Sequence, residues 1–243
     1  MPKILALDTS TDACSVALHV AGEIREDFRI IPRQHTKQLL PMIQAMLDSA
    51  GLKVKDLDAI AFGRGPGSFA GIRIATGVAQ GLAYSAELNV LPISTLAAIA
   101  LAHHLQSGDQ QVLAALDARM DEVYWAAYRF ENGLPVLIGD ERVDAPANVC
   151  LPDSGHWAGV GSGWRYWQGM SDQVKQFITR VDADSQGAEA QDKGVAENTT
   201  YPTAAHILRL AIEDYQQGKS LSPELALPVY LRDNVAWKKK DQQ

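Results

Sequence analysis

Length, composition and charge exclude several classes of protein at once. At 243 residues, 47% of them hydrophobic and 21% charged, the chain has the make-up of a globular protein of two modest domains or one large one. A formal charge of −7 argues against a chain that grips nucleic acid unaided, because phosphate affinity comes from clustered Lys and Arg, and the one such cluster is Lys238-Lys239-Lys240 near the tail. No window approaches the roughly 20 apolar residues that span a bilayer. The opening MPKILALDTS is too short for a signal-peptide core, so the sequence predicts a cytoplasmic protein with no membrane partner. Cys14 and Cys150 belong to no metal or redox spacing and are expected as two buried free thiols.

In chain order, residues 3–8, 14–20 and 23–30 predict three strands, the last two joined by a tight turn at Gly22. Residues 35–50 place Leu39, Leu40, Ile43, Met46 and Leu47 at helical spacing, with Gly51 as a terminator and Pro41 as a source of a kink. A strand over 57–62 runs into GRGPGSFAG, followed by a helix over about 71–86, a short strand over 89–94 and a helix over 95–106. At 112 the pattern starts again: VLAALDA and VYWAAYRF flank the turn RMDE. A strand ending in Asp, a turn and a returning strand thus occur twice, as a weak internal repeat. Residues 183–200 are poor in large apolar residues and predict a surface loop. Residues 203–216 return to a helical pattern through Ile207, Leu208, Leu210 and Ile212.

The segment Gly63-Arg64-Gly65-Pro66-Gly67-Ser68 lies between a buried strand and a long helix. Glycines there would allow backbone amides to approach a phosphate at a helix amino end. The segment is neither a Walker A loop nor a G-x-G-x-x-G fingerprint, and a tight strand-to-helix connection with Ser68 near the N-cap explains it equally well. In the helix that follows, Gly71, Ala75, Ala79 and Ala83 form one row, with Arg73, Gly77 and Gly81 beside it. Glycine costs about 1 kcal/mol relative to Ala inside a helix, so this composition needs a close neighbour. That neighbour is either the protein's own sheet or another subunit.

Asp8-Thr9-Ser10 and Asp117-Ala118-Arg119 each end a buried strand before a turn. A carboxylate at such a strand end could hold Mg²⁺ or activate a hydroxyl in a cleft. Alternatively, Asp8 and Ser10 hydrogen-bond the turn itself.

Five stretches in order, ILALDTSTDACSVAL, QHTKQLLPMI, FGRGPGSFAGIRIATGVAQGLA, LAALDARMDEVYWA and PVYLRDNVAWKK, resemble the TsaB (YeaZ) family over most of the chain. The 137–200 region is the least diagnostic. The resemblance implies an α/β ASKHA fold, shared with actin, sugar kinases and Hsp70 ATPase domains. Its two related subdomains are expected over 1–107 and 108–243, the first carrying the partner-binding helices and the tail packing back on it. It further implies a non-catalytic scaffold beside the paralogue TsaD, which transfers threonylcarbamoyl from its adenylate to the adenosine following the anticodon. A TsaE-like ATPase would join the complex, tRNA would be reached indirectly, and the chain alone would form a homodimer.

The resemblance places the partner surface on the first-subdomain helices, where His35, Leu39, Ile43, Arg73, Ala75, Gly77 and Ala79 are the candidates. Asp8, Ser10, Gly65 and Asp117 are the candidates for a nucleotide site holding ATP or ADP, the basis of an alternative reading as a phosphotransferase-like ASKHA protein. The catalytic paralogue carries N-H-L-E-G-H, with two metal-binding histidines four residues apart. Here the matching stretch is Ser94-Thr95-Leu96-Ala97-Ala98-Ile99, and neither Thr95 nor Ile99 replaces a histidine ligand. Adjacent His103 and His104 point about 100° apart on a helix. No H-E-x-x-H occurs, which speaks against a metallopeptidase. No resident cofactor or metal is therefore expected.

Overall fold

The computed structural model describes residues 1–181 and 201–232; the loop expected over 183–200 and the Lys238–Lys240 cluster lie outside the described residues. The first sheet comprises β1 (Ile4–Asp8), β2 (Ala13–Val20), β3 (Glu23–Ile30), β4 (Ala59–Gly65) and β5 (Asn89–Ser94) in the order β3-β2-β1-β4-β5. Strands β1, β2 and β3 form an antiparallel meander, and β4 and β5 continue the sheet in parallel.

Central β1 is apolar at nearly every position because both faces are covered. Leu5 and Leu7 meet α1 (His35–Ser49) and α2 (Phe69–Ser85) through Leu39, Ile43, Ala75 and Ala79. Ile4 and Ala6, on the opposite face by strand alternation, meet α3 (Thr95–Ser107) at Ala98 and α5 (Ala204–Gln216) at Ile207 and Leu208. Helix α5 lies beyond the division expected near residue 107, yet packs on the first sheet, because its apolar face completes that core.

The second sheet comprises β6 (Gln111–Arg119), β7 (Glu122–Glu131), β8 (Leu134–Asp144), β9 (Trp157–Val160) and β10 (Ile178–Val181), ordered β10-β9-β6-β7-β8. Read from its third strand, this is the order of the first sheet: an antiparallel meander of three, then two parallel strands. Helix α3 bridges the units, burying Leu96, Ile99 and Ala100 against Val112, Ala114 and Ala126 of the second. The short α4 (Asp172–Phe177) precedes β10.

Two expectations from sequence are corrected. Helix α1 runs unbroken through Pro41, which sits on its exposed side. Cys14 is buried as expected, but Cys150 is exposed because it falls between a 3₁₀ turn and the strand β9 rather than in the core. Elsewhere Ser68 and Gly51 act as read, and Ser94 and Gly108, not singled out from sequence, play the same parts for the next helix. Ser68 and Ser94 cap α2 and α3, and Gly51 and Gly108 take the left-handed conformation that ends α1 and α3.

Candidate functional site

The glycine loop lies beside the cleft between the two sheets, but its cradle is filled by the protein's own chain. The Ser68 amide donates to the Ser10 carbonyl at 2.7 Å, and Thr9 Oγ1 donates to the Gly71 carbonyl at 2.7 Å. A Cβ added at Gly67 would stand 2.5 Å from the Ser10 carbonyl oxygen, and one at Gly71 would stand 1.9 Å from that of Thr9. These glycines therefore admit the β1–β2 turn against the amino end of α2. Gly65 is likewise buried against its own chain. It has a φ of +102°, and an added Cβ would meet the Val229 carbonyl oxygen at 3.2 Å.

Asp8 lies beneath this turn and is fully buried. Its Oδ1 accepts from the Ser10 amide at 3.0 Å and from Ser10 Oγ at 2.9 Å, while Oδ2 is enclosed without a hydrogen-bond partner. Burial pushes this carboxyl up to about 7, against the opposing pull of the two Ser10 bonds. A carboxyl so enclosed braces the turn and lies outside the lining of the cleft.

The cleft itself is a cavity of about 420 Å³ with Ser10, Ser68 and Phe69 on one wall and Asp117, Tyr124 and Arg165 on the other. Asp117 accepts from the Arg119 amide at 2.8 Å, Tyr166 Oη at 3.1 Å, and the guanidinium groups of Arg119 and Arg165 at 3.3 Å each. The carboxylate is saturated by its own surroundings. Of the four proposed nucleotide residues, the fold brings Ser10 and Asp117 to the cleft and withdraws Asp8 and Gly65 from it.

Sequence reasoning did not foresee Arg232. Its guanidinium donates to the carbonyls of Ala118 and Arg119 at 3.2 and 3.3 Å and pairs with Glu122. The preceding residues bind the first unit: the Val229 amide donates to Arg64 O at 2.8 Å, and Arg73 Nε donates to Tyr230 Oη at 2.7 Å. The segment ending at Arg232 thus straps the two units together. The expectation from sequence was a tail packing back on the first subdomain; nothing local marks Arg232 as its anchor on the second.

Residues at the place of the paralogue's metal centre do not fit a metal. Thr95 Oγ1 donates to the Pro66 carbonyl at 2.5 Å, and Ile99 is completely buried. His103 pairs with Asp109 at 2.8 Å, while His104 bonds the Asp109 carbonyl and stacks on Phe130. Among the described residues, no three His, Cys, Asp or Glu side chains gather as ligands, and no helix is long and apolar enough to cross a membrane.

The candidates for a partner surface divide between a buried and an exposed helical row. His35, Leu39, Ile43, Ala75 and Ala79 are buried, since each faces the first sheet, so none is available to a partner. Arg73 and Gly77 are exposed, as are Gly81 and, on α1, Leu40, Pro41 and Gln44. Leu40 is 52% and Tyr84 71% exposed. Around Gly77 and Gly81 an added Cβ would meet nothing within 4 Å.

Two α/β units of one strand order, facing each other across a cleft, define an ASKHA-type protein. Residues 29–240 match the family described as TsaD, tRNA N6-adenosine threonylcarbamoyltransferase. The tRNA threonylcarbamoyladenosine biosynthesis protein TsaB of Escherichia coli (strain K12) is 43% identical over 241 residues, covering 98% of this chain and 97% of the relative. Its namesake in Haemophilus influenzae is 39% identical, with 97% and 96% covered. The solved structure of YeaZ from Pseudomonas aeruginosa superposes with a TM-score of 0.85 at 43% identity, over 95% of this chain and all of that one. The chain belongs to the TsaB (YeaZ) family.

Two outcomes follow for the cradle. Gly71→Ala should destabilise the protein by about 1–3 kcal/mol in urea unfolding, because the methyl group collides with the Thr9 carbonyl; an unchanged midpoint would contradict the close approach. Asp8 titrates at about 7 when folded and, as an ordinary carboxyl, near 3.8 when unfolded. The folded state therefore holds the extra proton between those values, and stability from this group falls as pH rises through them, by up to about 1.4 kcal/mol per pH unit. His206, lowered by burial to about 4, acts in the opposite direction between pH 4 and 6.5. The Asp8 effect is thus read as a difference: relative to wild type, Asp8→Asn should gain stability steadily from pH 4 to 7. Parallel profiles would show Asp8 ionised when folded.

Proposed function

We propose that the protein is a non-catalytic subunit of the machinery that forms threonylcarbamoyladenosine in tRNA, and that it binds a TsaD-like paralogue through the exposed ridge of α1 and α2. The observation that carries this reading is the pair Gly77 and Gly81. Each lies inside a helix, where glycine costs about 1 kcal/mol relative to Ala. Gly71 is accounted for by the Thr9 carbonyl, but no atom of the described chain crowds Gly77 or Gly81. Small residues on an open helical face let another backbone approach closely, and exposed Leu40 and Tyr84 flank them with apolar surface.

The same ridge would pair two copies of the chain when the paralogue is absent, since a self-complementary patch favours a two-fold dimer. Catalysis belongs to the partner in this reading, supported by Thr95 and Ile99 at the ligand positions and by a glycine loop packed against its own chain. A TsaE-like ATPase would complete the complex, and the cationic surface for tRNA would reside mainly on partners, consistent with the net charge of −7. The cleft would work without ATP or ADP.

Gly77→Ala and Gly81→Ala should each raise thermal stability, by up to about 1 kcal/mol, while weakening association with the paralogue about tenfold, or about 1.4 kcal/mol. Variants that bind normally would sink the ridge as the interface. The function itself is tested by reconstituting tRNA modification with the partner proteins and measuring threonylcarbamoyladenosine by mass spectrometry. Modification should require this chain and survive Asp8→Asn. Equal modification in its absence would overturn the proposal. Calorimetric binding of ATP that depends on Asp117 would bring the phosphotransferase reading forward.

A further inference from the structure

Away from the cleft, a second cavity of about 510 Å³ lies between β5, α5 and β8. Pro92, Ile93 and Leu210 from the first unit face Pro135, Val136 and Leu137 from the second, making most of its wall apolar. Its polar floor is one cluster drawn from both units. Glu141, with a side chain 7% exposed, accepts from Arg64 Nη2 at 3.1 Å and from Tyr128 Oη at 3.1 Å, and forms a further short bond with Ser94 Oγ. Burial and the adjacent carboxylate hold the Tyr128 phenol well above its usual range, so it stays a donor.

Both oxygens of Glu141 are thereby occupied, but Arg64 is not. Among the described residues its side chain gives one N–H to Glu141 at the cavity floor, and 27% of that side chain remains exposed. A guanidinium has five donors in a planar fork, and the edge not used by one carboxylate is shaped to accept another. Apolar walls around a few converging polar groups are the usual make-up of a small-molecule site, and the volume is in the usual range for one. The rim carries Glu213, bonded to Gln217, and the ion pair Asp214–Lys219. With an acidic rim and an apolar wall, a multiply charged phosphate is disfavoured against a monoanion with an apolar body.

We propose that this cavity binds a small carboxylate with an apolar chain, its head on Arg64 and its body between Ile93, Leu210 and Val136. Because the walls come from both units, an occupant also ties β5 and α5 to β8. The inference is independent of the partner-binding reading and concerns residues other than those around Gly77 and Gly81.

Octanoate is the probe, with octan-1-ol and octylamine as neutral and cationic counterparts, titrated into the full chain at pH 7.5 by calorimetry or saturation-transfer NMR. Octanoate should bind saturably and at least tenfold more tightly than either counterpart. Val136→Trp, on a half-exposed position of β8, should abolish that binding by filling the cavity while leaving the thermal midpoint nearly unchanged. Arg64→Lys, which retains the pair with Glu141 but not the fork, should weaken it several-fold. Equal affinity for the three probes, octanoate binding that survives Val136→Trp, or no binding at all would each overturn the proposal.

Discussion

The close seating of the β1–β2 turn on the amino end of α2 is the contact on which the rest of the molecule turns. Carbonyls of Thr9 and Ser10 press to within a methyl group's reach of Gly71 and Gly67, and two hydrogen bonds of 2.7 Å hold them there. No side chain fits between the two backbones. Helix α2 is thereby fixed in rotation: Ala75, Ala79 and Ala83 face the sheet, and Arg73, Gly77 and Gly81 face outward. The same contact seats the glycine loop against the protein's own chain. One packing arrangement therefore bears on both the outward ridge and the cleft.

The two units are held together by two separate devices. At the cleft, Arg232 carries the end of the described chain to the β6–β7 turn. At the second cavity, Glu141 collects donors from β4, β5 and β7. A buried carboxylate is costly unless its lone pairs are satisfied, and here donors from both units supply that satisfaction. Separating the units at that point would strand the charge.

Much of the candidate site was legible because it depends on local chemistry. Ser68 read as a cap because a hydroxyl before a helical run satisfies amides that have no other partner. Thr95 and Ile99 read as a missing ligand pair because the resemblance sets them at the paralogue's histidine positions and neither side chain replaces a histidine. The four nucleotide candidates were less legible. Asp8 and Asp117 share a strand-end context in sequence, yet Asp8 is enclosed and Asp117 reaches the cleft. The difference comes from what packs over each, and those atoms are distant in the chain.

The sequence by itself determined the alternation of strands and helices, the repeated opening of the two halves, and the family to which the chain belongs, because these reside in periodicity and in short motifs. Only the tertiary structure decided which glycines face the chain's own backbone and which face outward. It likewise decided that α5 returns to the first sheet and that Arg232 reaches the β6–β7 turn of the second. The physical reason is the same in each case: a helix's spacing defines its rows of residues, but its rotation and its destination are set by packing against elements far away in sequence.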